Sequence, residues 1–80
     1  MLSDDDKFKA KNVIHGFTGE ALEDIHEGSK LSDDLELDDI DMCDLAIELE
    51  EEFNIDIDDN IFENLTNVEG IYNLIGAEIA

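Results

Sequence analysis

The chain has 80 residues, room for one small domain and not for a second core. Its 24 carboxylates face four lysines and no arginine, giving a net charge of −20. That charge repels nucleic-acid phosphate and anionic lipid, which excludes both as expected partners, and no apolar run approaches membrane-spanning length.

The opening Met1-Leu2-Ser3-Asp4-Asp5-Asp6 lacks the charged-then-apolar pattern of a signal peptide, so a cytoplasmic protein is expected. Ser3 is an N-cap signal, followed by an acidic first turn that suits the helix dipole. A first helix is therefore predicted over about Asp4 to Phe17, with Ala10, Val13, Ile14 and Phe17 as its apolar stripe and Phe8 nearby. A long connection follows, from Thr18 to Asp38. Leu22, Ile25, Leu31, Leu35 and Leu37 are its expected anchors, and Glu20 to Ile25 adds at most a turn of helix. Long ordered connections in small domains carry function or lie packed over the core.

The second helix is predicted from Asp38 or Asp39, either of which can cap, to about Phe53, with Asn54 as its left-handed terminator. Ile55 and Ile57 anchor a short extended link. Asp58 or Asp59 then caps a short third helix, roughly Asp59 to Asn64. Thr66 and Glu69 have capping-box spacing for a fourth helix, whose expected core face is Val68, Ile71, Tyr72, Ile75 and Ile79. Gly70 and Gly76 cost helix propensity there, so each is expected to permit close packing or fraying. The predicted fold is all-α: a small antiparallel four-helix bundle, three longer helices plus one short, with a long connection between the first two. The 42% hydrophobic content at regular spacing argues against disorder, although self-repulsion should leave the fold marginal in low salt; a monomer is expected.

At about 100° per residue, Met42, Leu45, Ala46, Leu49 and Phe53 fall on one stripe of the second helix, the expected core side. Ile40, Cys43 and Ile47 form a second stripe, rotated toward the side that holds Asp44, Glu50 and Glu51. Either both stripes are buried in a wide core, or the second is exposed and docks a partner. In the second case the acidic rim would steer a basic protein onto an apolar patch.

The run Leu35-Glu36-Leu37-Asp38-Asp39-Ile40-Asp41, then Leu49-Glu50-Glu51-Glu52-Phe53, resembles the central helix of acyl carrier proteins. That helix typically reads Leu-Gly-Ala-Asp-Ser-Leu-Asp and, at the same spacing, Leu-Glu-Glu-Glu-Phe. Leu31-Ser32-Asp33-Asp34-Leu35 is similar to the loop before it. Ile57-Asp58-Asp59 and Leu65-Thr66-Asn67-Val68 are similar to the later helix starts. The resemblance covers about residues 31 to 80, and the first helix matches in pattern only.

The resemblance implies a carrier of acyl intermediates in fatty acid or related lipid or polyketide synthesis, held as thioesters on 4′-phosphopantetheine. The arm is joined to the serine of the Asp-Ser-Leu motif, and here that position is Asp39. A serine hydroxyl attacking the coenzyme A pyrophosphate gives a stable phosphodiester, whereas a carboxylate would give a mixed anhydride that hydrolyses. No cofactor is therefore expected on this chain, although the arm would be if position 39 were serine. The resemblance also implies that Asp38, Ile40, Asp41, Cys43, Asp44, Ile47, Glu50 and Glu51 meet basic-patched enzymes: acyl-transfer enzymes, synthases and phosphopantetheinyl transferase. Two accounts of Asp39 stand open: a carrier whose serine has been replaced, or a partner-binding or regulatory module that never carries cargo.

Other chemistry is weakly signalled. An EF-hand register starting at Asn54 puts Asp59 at the glycine position and Leu65 at the glutamate position, so no dedicated metal site is expected. Diffuse divalent binding by the aspartates is a third, weaker reading. Cys43 taken alone reads as a small apolar filler, and Ser32 lies seven residues before position 39 without the following motif. His15 and His26 have no second ligand pair. The carboxylates read as a solvated face, and an enzyme is not expected.

Overall fold

The Ser3 hydroxyl accepts a hydrogen bond from the Asp6 N–H at 3.2 Å and starts α1, Asp4–Thr18. The computed structural model describes residues 2–79. Gly19 ends α1 in the left-handed region, at φ 79°, and its N–H bonds the His15 carbonyl at 2.8 Å. Ala10 and Ile14 are fully buried, while Val13 and Phe17 pack partly against the core. Phe8 is exposed.

After a 3₁₀ turn at Leu22–Asp24, the chain crosses the molecule to α2, Asp39–Phe53. The connection is pinned by buried Ile25, Leu31, Leu35 and Leu37, whereas Leu22, also expected as an anchor, is half-buried. Asn54 closes α2 in the left-handed region, φ 54° and ψ 51°, as its sequence position suggests. Asp58 caps the short α3, Asp59–Phe62, by accepting from the Asn60 N–H at 2.9 Å. This helix stops two residues short of the predicted Asn64, because the N–H groups just beyond it close 3₁₀-like bonds: Asn64 to Ile61 and Leu65 to Phe62.

The last helix, α4, spans Val68–Ile79. The capping box expected between Thr66 and Glu69 is not the one formed. Asn67 Oδ1 accepts from the Gly70 N–H at 2.9 Å. The N–H groups of Val68 and Glu69 donate to the carbonyls of Ser29 and Glu27, at 3.1 and 2.8 Å. The first turn of α4 is thus satisfied by the long connection, which also pairs Lys30 with Asn67 in an isolated antiparallel bridge. Val68, Ile71, Tyr72 and Ile75 are buried as predicted, but Ile79 is 41% exposed because the final turn runs past the core. A Cβ on Gly70 would lie 3.2 Å from Leu65 Cδ2, the close approach that its glycine permits.

The architecture is a small all-α bundle of three longer helices and one short, with no strand among the described residues. Phe62, Ile14, Ile25, Leu45, Leu49, Ile71 and Ile75 are its largest fully buried side chains. Two of the four lysines tie α1 down. Lys7 pairs with Glu27 at 3.1 Å and lies 6.0 Å from the Tyr72 ring centre. Lys9 stands 5.0 Å above the Phe53 ring and 3.8 Å from Glu52. No described helix is long and apolar enough to cross a membrane.

Candidate functional site on helix α2

The first turn of α2 is held by two carboxylates acting on each other's backbone. Asp38 Oδ1 accepts from the Asp41 N–H at 2.8 Å, and Asp41 Oδ2 accepts from the Asp38 N–H at 3.2 Å. This reciprocal box satisfies donors that the helix start would otherwise leave open. It resolves the choice between two possible caps: Asp38 is the cap, and Asp39 is the first helical residue, with an exposed side chain. A charge there is favourable to the helix dipole and is not needed to start the helix.

Asp39 also lies on the border between the two faces of α2. It lines a cavity of about 510 Å³ together with Leu31, Leu37, Met42 and Leu65 from the connection, α2 and the segment before α4. Lys30, Asp33 and Glu63 stand at the same cavity. The site therefore joins a carboxyl side chain at a helix start to a partly apolar recess.

The two stripes of α2 part company in the fold. Met42, Leu45, Ala46 and Leu49 are buried, with Phe53 half-buried. Ile40 is 72% exposed and Ile47 51% exposed, and Cys43 lies exposed between them. Burial of both stripes is ruled out, and so is the reading of Cys43 as a core filler: α1, α3 and the connection cover one side of α2 only. Asp44 and Glu51 are exposed beside the apolar residues. On α3, which packs against α2, Ile61 is 52% exposed.

Not every residue grouped with this face is equally free. Asp41 is half-buried within the cap. Glu50 is half-buried, and its Oε2 accepts from the Ile57 N–H at 2.7 Å. Sequence reasoning missed this second task, since the two residues lie seven positions apart across a helix end. The exposed set is Asp38, Asp39, Ile40, Cys43, Asp44, Ile47 and Glu51. Such a surface, apolar at its centre and acidic at its rim, suits a partner with a basic rim around an apolar contact.

Comparison with known proteins gives matches over most of the chain. The family model described as the phosphopantetheine attachment site matches residues 9–75. The chain is 40% identical over 67 residues to the acyl carrier protein of Buchnera aphidicola subsp. Baizongia pistaciae, covering 84% of this chain and 86% of that protein. It is 35% identical over 75 residues to the acyl carrier protein of Chloroherpeton thalassium, covering 94% of each. It is 34% identical over 67 residues to that of Thermotoga maritima, covering 84% and 83%.

Proposed function

Because the chain belongs to the acyl carrier protein family, whose members are carriers and not catalysts, we propose that it is an arm-free carrier domain. On this reading it docks through α2 on basic-faced enzymes of fatty acid or related lipid or polyketide synthesis. Position 39 is the family's attachment position and holds a carboxylate where the family has a hydroxyl. The observation that carries the reading is the first turn of α2, with Asp39 at the surface and the cap made next door by Asp38.

The residues present do not fit the 4′-phosphopantetheine arm. The arm needs a hydroxyl oxygen to form a stable phosphodiester, and Asp39 offers a carboxylate. Ser32 lines the same cavity but precedes the helix by a loop and lacks the motif that a transferring enzyme would read. The docking side is independent of that misfit. Ile40, Cys43, Asp44, Ile47 and Glu51 are exposed and lie elsewhere on the helix. Asp38, Asp41 and Glu50 add negative charge to the same surface while holding backbone bonds.

The test is restoration. Asp39→Ser, incubated with coenzyme A and a phosphopantetheinyl transferase, should gain the mass of one arm by intact-protein mass spectrometry, and the unaltered chain should not. A serine variant that stays unmodified with several transferases would remove the carrier reading.

A further inference from the structure

We propose that this chain acts as a dead-end competitor for the enzyme that installs the arm: it occupies the surface that receives acceptor carriers and cannot itself be modified. The inference rests on the reading above and adds a regulatory activity to it.

Docking and acceptance of the arm are separate tasks of α2. Docking uses area and charge spread along the helix. Ile40 and Ile47, 72% and 51% exposed, lie on one face with Asp44 and Glu51 beside them. Acceptance of the arm uses one oxygen at one position. Asp39 contributes nothing to the cap and is not on the core stripe, so the exchange removes the nucleophile and leaves the docking face intact.

Charge complementarity selects the occupant. A chain of net charge −20 with an acidic rim is drawn to a basic enzyme surface, and no lysine of this chain stands within ion-pair distance of Asp44 or Glu51 to mask that rim among the described residues. An enzyme that moves 4′-phosphopantetheine from coenzyme A to a carrier serine must take its protein substrate in the arm-free state. This chain is permanently in that state. A serine-bearing carrier leaves that pool after one turnover, whereas this one re-enters it after every encounter.

The test uses a transferase, coenzyme A and a serine-bearing acyl carrier protein as acceptor, with the native chain added. Inhibition should be competitive toward the acceptor. With enzyme saturated and affinities equal, a tenfold excess of the chain should slow acceptor modification by about tenfold, from simple mass action. The inhibition constant should rise with ionic strength. Ile47→Asp and Glu51→Lys, both at exposed positions, should relieve the inhibition while the helical circular dichroism is unchanged.

Two controls separate the failures. If Asp39→Ser accepts the arm but the native chain does not inhibit, the competitor role is wrong and the carrier reading stands. If Asp39→Ser does not accept the arm, the carrier reading itself is wrong. Transferase, coenzyme A and native chain without acceptor should release no adenosine 3′,5′-bisphosphate. Release would mean that the Asp39 carboxylate attacks the pyrophosphate, with water then cleaving the mixed anhydride to free 4′-phosphopantetheine. That outcome would overturn the dead-end role by making the chain a turned-over acceptor.

Discussion

Glu50 Oε2 accepts a 2.7 Å hydrogen bond from the backbone N–H of Ile57, so a side chain near the end of α2 fastens the link that leads into α3. Ile57 is 6% exposed, and its N–H has this carboxylate as its partner. The Glu50 carbonyl meanwhile accepts from Asn54 and Ile55, closing the helix. Removing an acceptor from a buried donor costs about 1–3 kcal/mol. Glu50→Ala should therefore destabilise by about 1–2 kcal/mol in urea, with Glu50→Gln losing less because it keeps an acceptor oxygen. Glu51→Lys, one residue on and exposed, should shift stability by no more than about 0.5 kcal/mol. Equal losses at the two positions would show that the Ile57 bond contributes nothing.

The Asp38–Asp41 box assigns different consequences to adjacent aspartates. Asp38→Ala removes the acceptor for the Asp41 N–H and should cost about 1 kcal/mol. Asp39→Ser loses only a surface charge near the positive end of the helix, a loss of a few tenths of a kcal/mol that lower self-repulsion offsets. Thermal melts of the two variants at matched salt should thus differ by several degrees, about 4–8 °C per kcal/mol for a domain of this size. If Asp39→Ser melts as low as Asp38→Ala, the cap has been assigned to the wrong residue.

What could be read from the chain followed how local each determinant is. Ser3, Asp38 and Asn54 mark helix ends through bonds within four residues of themselves, so the bounds of α1 and α2 were legible. The start of α4 was not, because Glu27 and Ser29 supply its acceptors from about forty residues upstream. Periodicity assigned Ile40, Cys43 and Ile47 to one face of α2 but could not say whether anything covers it, which depends on where other elements pack. Ile79 continues the apolar period of α4 into a final turn that leaves it 41% exposed. The place of Asp39 at the start of α2 was legible, because the candidate caps Asp38 and Asp39 are neighbours in the chain. The structural task of Glu50 was hidden in a run of identical glutamates.

Glu36 occupies the left-handed region at φ 56°, two residues before the cap of α2. No periodicity signals this, since the residue is not glycine, although carrier sequences typically have glycine there. The left-handed conformation costs an L-residue about 1–2 kcal/mol. The Glu36 side chain is exposed, so its loss removes no core packing. Against this, glycine raises the entropy of the unfolded chain, worth about 0.4–1 kcal/mol. Glu36→Gly should therefore stabilise by about 0.5–1 kcal/mol, read as a higher urea midpoint at unchanged slope. Gly19→Ala is the converse test. Gly19 has φ 79° at the end of α1, and a methyl group there should cost about 1 kcal/mol even though the space around it is open. A Glu36→Gly variant no more stable than the parent would mean that the loop relaxes around position 36.

Tyr72 offers a pH test with its own optical reporter, because the chain has one tyrosine and no tryptophan. It is 4% exposed on α4, and burial first, then the Glu27 carboxylate, push its phenol above the ordinary 10.0. Both disfavour the phenolate. The folded value lies above the unfolded one, so the unfolded chain gives up this proton first. The resulting stability is fully present below about pH 10 and is lost as pH rises through the folded value. Phenolate absorbance should therefore titrate later in the folded protein than in urea. Glu27→Gln should bring the folded titration earlier, by removing the carboxylate and freeing Lys7, which now pairs with it. Tyr72→Phe should flatten the fall of the melting temperature between about pH 9 and 11. A folded titration at or below the urea value would show that solvent reaches the phenol and that α4 is less tightly seated on the core than its contacts with the connection imply.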